Sequence, residues 1–263
     1  MVKQEFQSVI ISSGLLKRQV KVDIYHPTSH DESSSMNVLF INDGQDLVKM
    51  GFSRMIKNQF GSERTLIAIG IHAGIERRQE YGVAGIPDYL DRGNKAFVYS
   101  RFILDELIPY IKSVFPSTKI DKKYLAGFSL GGLMAFDMAL EYPHEFSAVG
   151  VFSGSFWWRS KSLEKGYVEE VDRIMHAKIR NKKRETHLRF FLQTGQLDET
   201  ADRNNNGIID SIDDTMGIIE ELKRIGYQPN EQITYLELPD GKHEVETWGR
   251  VMPMYLQWLD QLK

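Results

Sequence analysis

One five-residue segment near the middle of the chain could carry nucleophilic chemistry. The residues from Gly127 to Gly131 read Gly-Phe-Ser-Leu-Gly, which is the G-x-S-x-G pattern of the nucleophile elbow in serine hydrolases. An apolar run precedes the pattern and a helix-like run follows it, so Ser129 is predicted to lie on a tight turn from a strand into a helix. Flanking glycines let neighbouring backbone come close to such a turn. The alternative is an ordinary glycine-rich connection between a strand and a helix.

Two residues downstream could activate Ser129. A serine needs a base to take its proton and an acid to orient that base. On the elbow scaffold these partners follow in the order Ser, Asp or Glu, His, each after a later strand. Of the seven histidines, His243 alone lies between the last predicted strand and the final predicted helix. Asp198 directly follows an earlier predicted strand and is the predicted acid, with Glu199 as its alternative.

An oxyanion hole needs two backbone N–H donors in addition to these side chains. The residue after the nucleophile, Leu130, usually supplies one of them, and the loop after the third strand supplies the other. That loop reads Asn-Asp-Gly-Gln-Asp from residue 42, and the N–H of Gln45 is the predicted second donor. An Asp-Gly pair is also an ordinary turn signal, which is the alternative here.

Four segments together resemble the putative esterase family. They are Asn-Asp-Gly-Gln from residue 42, the elbow, Phe-Ser-Gly-Ser-Phe-Trp-Trp from residue 152, and Gly-Lys-His ending at residue 243. The resemblance implies an α/β-hydrolase fold and a small-molecule ester as substrate. It also implies the nucleophile, acid, base and oxyanion roles named above. The family includes esterase D-like enzymes, feruloyl esterases, mycolyltransferases and siderophore trilactone hydrolases, and the segment from residue 152 looks most like the siderophore branch.

The aromatic residues of that segment are candidates for the pocket wall. Phe156, Trp157 and Trp158 follow a predicted strand end and would overhang Ser129 there. Aromatic rings at a pocket mouth bind planar or acyl groups, so these three residues are the predicted substrate contacts. The alternative is that they pack into the core of the insertion that follows.

A second motif follows Asp198 and predicts a cation site. Oxygen-bearing residues fall at positions 1, 3, 5, 9 and 12 of a twelve-residue string, with glycine at position 6, as in the EF-hand calcium loop. The candidate ligands are Asp202, Asn204, Asn206, the carbonyl of Ile208, Asp210 and Asp213. The last position is Asp instead of Glu, which resembles the dockerin loop and could admit magnesium. We expect a structural Ca²⁺ that holds the acid-bearing loop, and the alternative is a polar loop with Asp213 at a helix start.

Elements that could position these residues alternate along the chain. Two alternating segments, 6–11 and 20–25, predict antiparallel edge strands, and a polar run at 29–35 predicts a loop. Buried strands are predicted at 38–41, 66–71, 124–126, 148–152, 188–192 and 233–238, and helices at 51–60, 96–114, 129–142, 213–225 and 245–262. Strands alternating with helices imply a mostly parallel sheet of about eight strands. A long loop at 72–95 and a cap-like insertion at about 154–187 interrupt this pattern.

Composition narrows the functional classes. The 263 residues include no cysteine, which excludes disulfides, thiolate metal sites and cysteine nucleophiles. A net charge of −3 gives no large field of one sign, so neither nucleic acid nor a membrane surface is an expected partner. No signal peptide or transmembrane segment is visible, and the expected location is cytoplasmic. No catalytic cofactor is expected.

These observations predict a single α/β-hydrolase domain over residues 1–263 that cleaves carboxylic esters through an acyl-enzyme. The narrower alternative is a hydrolase of catecholate siderophore trilactones. An alternative of another class is a non-catalytic, calcium-stabilised binding protein with the same fold.

Overall fold

Residues 4–27, 35–59 and 65–262 are described in a computed structural model of the chain. All but the last residue of the polar run predicted as a loop at 29–35 lies outside these ranges. Within the described residues, no helix is both long and apolar enough to cross a membrane. The predicted cytoplasmic location stays a prediction.

Eight strands form one sheet. They are β1 (Gln4–Ser13), β2 (Arg18–Pro27), β3 (Ser35–Asn42), β4 (Thr65–Ile71), β5 (Lys119–Phe128), β6 (Ala148–Phe152), β7 (Arg189–Leu197) and β8 (Ile233–Lys242). Their order across the sheet is β1-β2-β4-β3-β5-β6-β7-β8. The pairs β1–β2 and β2–β4 are antiparallel, and all others are parallel. The predicted α/β fold, with a mostly parallel sheet of about eight strands, is therefore confirmed.

Helices cover both faces of this sheet, since apolar side chains leave it in both directions. On β3, Val38 and Phe40 enter the core of one face, and Leu39 and Ile41 enter the core of the other. The helices are α1 (Leu47–Met50), α2 (Phe52–Gln59), α3 (Arg77–Glu80), α4 (Ala96–Arg101), α5 (Ile108–Val114), α6 (Leu130–Glu141), α7 (Glu169–Asp172), α8 (Ile174–Arg180), α9 (Asp210–Arg224) and α10 (Val245–Gln261). Helices α1, α2 and α10 pack on the second face, and α4, α5, α6, α8 and α9 pack on the first.

The parallel strands bring the candidate site residues to one edge of the sheet. Strands β3, β5, β6, β7 and β8 run in the same direction, so the loops at their carboxyl ends meet there. The predicted long loop at 72–95 contains the short helix α3. The predicted insertion at 154–187 contains α7 and α8 and forms the connection from β6 to β7.

Candidate active site

Ser129 occupies a strained turn between β5 and α6. Its backbone has φ 53° and ψ −121°, which is a conformation that side-chain-bearing residues rarely adopt. Hydrogen bonds hold the turn: the Ser129 N–H donates to the Phe152 carbonyl at 2.9 Å, and the Gly132 N–H donates to the Ser129 carbonyl at 3.0 Å. Such strain persists only where the surrounding structure enforces it, and it is concentrated at functional sites.

The glycines on either side of Ser129 are required by close contacts. A Cβ atom at Gly127 would lie 2.2 Å from the Gly131 carbonyl oxygen, and one at Gly131 would lie 2.4 Å from Oδ2 of Asp43. Both distances are too short for any side chain. The two glycines therefore let the end of β5 and the loop after β3 approach the first turn of α6.

The two predicted oxyanion donors lie in the first turns of helices. Leu130 is the first residue of α6, and Gln45 lies in a 3₁₀ turn, Gly44–Asp46, directly after β3. N–H groups in a first turn have no acceptor within their own helix, which leaves them available to a ligand. The Gln45 side chain braces its loop, because its Oε1 accepts from the Ala73 N–H at 3.0 Å and its Nε2 donates to Asp43 at 3.2 Å.

A buried polar network ties this loop to the elbow. The Asn42 amide donates to the Gly131 carbonyl at 2.9 Å, and its oxygen accepts from the Tyr99 hydroxyl at 2.7 Å. The Arg77 guanidinium donates twice to the Asp43 carboxylate, at 2.7 Å for each bond. Sequence reasoning missed the Asp43–Arg77 pair. The Asp-Gly turn signal marked Asp43, but no local pattern places Arg77 from the long loop next to it.

Asp198 is a buried carboxylate with one oxygen unused by its neighbours. It directly follows β7 and is only 9% exposed. Its Oδ2 accepts from the Ser211 hydroxyl at 3.0 Å, whereas its buried Oδ1 has no hydrogen-bond partner among the described residues. A buried acceptor without a partner is costly, so Oδ1 is suited to take a bond from a mobile or titrating group.

His243 lies directly after β8, within electrostatic reach of Asp198. Its ring packs edge-on against Trp248, with the ring centres 5.3 Å apart. Although the residue as a whole is exposed, the atoms crowded around the ring lower the pKa of His243 by disfavouring its charged form. The negative charge of Asp198 opposes this shift, and the positive charge of Arg77 adds to it.

A cavity of about 270 Å³ opens beside these two residues. Its lining includes Ser153, Trp157, Asp198, Glu199, Ser211 and His243. The hydroxyl oxygens of Ser129 and Ser155 lie 3.3 Å apart, and Ser155 is a contact that sequence reasoning also missed.

The three predicted aromatic contacts separate into two groups. Trp157 lines the cavity, and its contact with substrate stays a prediction. Phe156 and Trp158 are both 0% exposed, so the prediction that they contact substrate is corrected: they are core residues. Phe156 packs edge-on against Phe136, and the Trp158 indole N–H donates to the Ile86 carbonyl at 3.2 Å.

Two of the predicted calcium ligands, Asn204 and Asn206, contact the carboxylate of a third, Asp213. The side-chain amides of Asn204 and Asn206 donate to Oδ2 of Asp213, at 2.9 and 2.7 Å. Asp202 instead accepts backbone N–H groups of its own loop, and Ile208 donates its N–H to Asn206 at 2.8 Å.

The ninth position of this loop, Asp210, faces a protein cation. It lies 3.2 Å from the guanidinium of Arg203, which also pairs with Asp214 and Glu169. Among the described residues, no group of three or more His, Cys, Asp or Glu side chains is arranged to hold a metal ion. The calcium site is therefore not supported by a carboxylate cluster, and it stays a prediction.

Comparisons with known proteins identify the family to which this chain belongs. A family model described as putative esterase matches residues 13–259. The Bacillus subtilis protein YjcH, described as uncharacterized, is 24% identical over 238 residues, which cover 89% of this chain and 88% of YjcH.

Two solved structures illustrate the shared fold. Enterochelin esterase from Shigella flexneri superimposes with a TM-score of 0.71 at 18% identity, over 98% of this chain and 59% of that one. The siderophore hydrolase EstB from Aspergillus nidulans has a TM-score of 0.67 at 14% identity, over 98% and 97% of the two chains. The chain thus spans about three fifths of the Shigella esterase, and at these identities both similarities show the fold alone.

Proposed function

Because the chain belongs to the family of putative esterases, we propose that it is a serine hydrolase that cleaves carboxylic esters through an acyl-enzyme. The observation that carries this proposal is the strained backbone of Ser129, held between β5 and α6 at the edge where the other candidate residues meet. Strain of this kind exposes the nucleophile hydroxyl above the sheet.

The proposed reaction uses each group at that edge. Ser129 attacks the ester carbonyl while His243 takes its proton, and the N–H groups of Leu130 and Gln45 stabilise the oxyanion. His243 then gives the proton to the departing alcohol, and water hydrolyses the acyl-enzyme. We assign the acid to Asp198, because the unpartnered Oδ1 can accept from the imidazole and because the Asp198 charge acts on His243.

Covalent labelling tests the class of the protein. A fluorophosphonate probe reacts only with an activated serine, so we expect stoichiometric labelling at Ser129, located by peptide mass spectrometry. A non-catalytic binding protein with this fold would remain unlabelled, and that result would reject the proposal.

The pH dependence of kcat/KM measures the pKa of the catalytic base. His243 must be neutral to accept a proton, so activity is expected to rise with pH through its pKa in the free enzyme. Because burial lowers that pKa, the midpoint should lie below the ordinary histidine value of about 6.5. Replacing Arg77 with methionine removes a positive charge near the ring and should move the midpoint upward. A midpoint well above 6.5 in the unmodified protein would contradict the assignment.

A narrower candidate substrate is a catecholate trilactone of the siderophore type. The segment Phe152 to Trp158 supports this candidate, and two siderophore esterases of known structure share the fold. Turnover of a metal-free and a ferric catecholate trilactone, compared with p-nitrophenyl acetate, separates it from a general carboxylesterase.

The predicted calcium loop has its own test. If Ca²⁺ binds at residues 202–213, adding it to metal-stripped protein should raise the melting temperature, because a ligand that binds only the folded state stabilises it. Asp213→Asn should abolish that increase. An unchanged melting temperature would indicate that the protein's own contacts secure the loop, including those of Arg203 to α7 and α9.

A further inference from the structure

The cavity lies beside His243, the residue that would hand its proton to the departing alcohol. When the tetrahedral intermediate collapses, the imidazole donates its proton to the leaving oxygen, which must therefore lie next to the ring. Because His243 lines the cavity, this is a space next to the ring that the alcohol portion of an ester bound at Ser129 can occupy. This reasoning rests on the proposed function.

The lining of this cavity is acidic. Two carboxylates, Asp198 and Glu199, face it, and His243 is the one basic residue of its lining. Asp198 accepts from Ser211 and is the acid assigned above to His243. Glu199 is half-buried and has no ion-pair partner among the described residues.

The surroundings of Glu199 add negative charge instead of compensating for it. Burial raises the pKa of Glu199, and the nearby charges of Asp210, Asp214 and Asp198 raise it further, whereas a hydrogen bond from the Ser211 backbone lowers it. The Arg203 guanidinium pairs with Asp210 and Asp214 and does not reach Glu199 as an ion pair. An unpaired carboxylate in such a field favours a cation beside it.

The remaining wall suits a cation as well. The indole of Trp157 lines the cavity, and the face of an indole attracts positive charge. The ring already binds one cation, since the Arg92 guanidinium lies 4.9 Å from its centre, and Arg92 in turn pairs with Asp88. The stacked Arg92 holds the ring in place.

We propose that this cavity selects esters whose alcohol portion carries a positive charge, and that Glu199 is the residue that recognises this charge. The acyl portion is not constrained by the cavity. A negatively charged alcohol portion is disfavoured, because it would meet two carboxylates. This proposal therefore favours a general carboxylesterase over a hydrolase of the ferric catecholate trilactone.

An isosteric pair of substrates tests the proposal. The acetates of 2-(trimethylammonio)ethanol and of 3,3-dimethylbutanol have the same shape and differ by one charge. We expect kcat/KM to be at least about tenfold higher for the charged ester, the size of one screened charge interaction. Glu199→Gln should reduce this ratio to about one. Glu164→Gln, which makes the same change on an exposed residue outside the cavity, should preserve it.

Three results would overturn the proposal. They are equal kcat/KM values for the two esters, a ratio unchanged by Glu199→Gln, and a higher kcat/KM for the uncharged 2,3-dihydroxypropyl acetate than for the charged ester. Fluorophosphonate labelling of the same samples distinguishes failure of the proposed cation site from failure of the proposed esterase function. Labelled protein without charge preference rejects only the cation site, whereas unlabelled protein that hydrolyses none of the esters rejects the esterase function.

Discussion

Replacing Ser129 with alanine is expected to lower kcat/KM for p-nitrophenyl acetate by at least about 10⁴-fold, because removal of the nucleophile leaves only the oxyanion donors and substrate binding. The measurement is steady-state hydrolysis by variant protein that is free of the unmodified enzyme. Unchanged turnover would mean that another residue attacks the ester, and it would reject the assignment of the elbow.

The backbone strain at Ser129 can be tested by comparing the stabilities of Ser129→Ala and Ser129→Gly. Alanine retains the Cβ atom at φ 53°, whereas glycine adopts that conformation without strain. Ser129→Gly should therefore be inactive as well, yet its free energy of unfolding should exceed that of Ser129→Ala by about 1 kcal/mol. Urea denaturation measures the difference. Equal free energies of unfolding for the two variants would show that the backbone conformation at residue 129 does not destabilise the folded protein.

Replacing Asp198 with asparagine is expected to lower kcat/KM by about 10³- to 10⁴-fold, with a smaller effect on stability. The amide cannot stabilise the imidazolium that forms on His243, and it favours the wrong tautomer of the ring. In the unmodified protein the Ser211 hydroxyl donates to Oδ2 of Asp198. It can still donate to the amide oxygen of the asparagine, so the loop retains this hydrogen bond. Steady-state kinetics on p-nitrophenyl acetate measure the loss.

Glu199→Gln is the natural comparison, since it removes a neighbouring carboxylate from the same cavity. We expect its kcat/KM on this neutral substrate to stay within about tenfold of that of the unmodified protein. Should the glutamine variant instead show the larger loss, the catalytic acid would be Glu199. Losses of similar size in both variants would indicate that neither residue alone orients His243.

Local patterns in the sequence determine much of this fold. All eight strands lie where apolar runs or alternating segments predict them, because the polarity of a strand's own side chains shows which of them are buried. The ends of the helices and strands differ more from their predicted positions. Helix α9 begins at Asp210 instead of residue 213, so the last ligands predicted for the calcium loop belong to its first turn. Hydrogen bonds of the preceding loop accompany this start, since the Asp210 N–H donates to the Ala201 carbonyl at 2.8 Å, and composition does not reveal them.

Contacts between distant segments account for what the sequence could not predict. Trp157 and Trp158 are adjacent and chemically identical, yet Trp157 lines the cavity and Trp158 is buried in the core. The direction of each ring depends on the packing of the 72–95 segment, whose Ile86 carbonyl accepts from Trp158. The pairing of Arg77 with Asp43, across 34 positions of sequence, is of the same kind.

The sequence by itself determined the strand pattern, the nucleophile turn and the chain order of the acid and base candidates, since each depends on residues close together in the chain. Only the tertiary structure decided which oxygen of Asp198 lacks a partner, which aromatic ring faces the cavity, and that Arg203 braces the loop after the acid. These properties arise where segments far apart in the chain meet, and there geometry and burial, and not residue type, decide which groups can react.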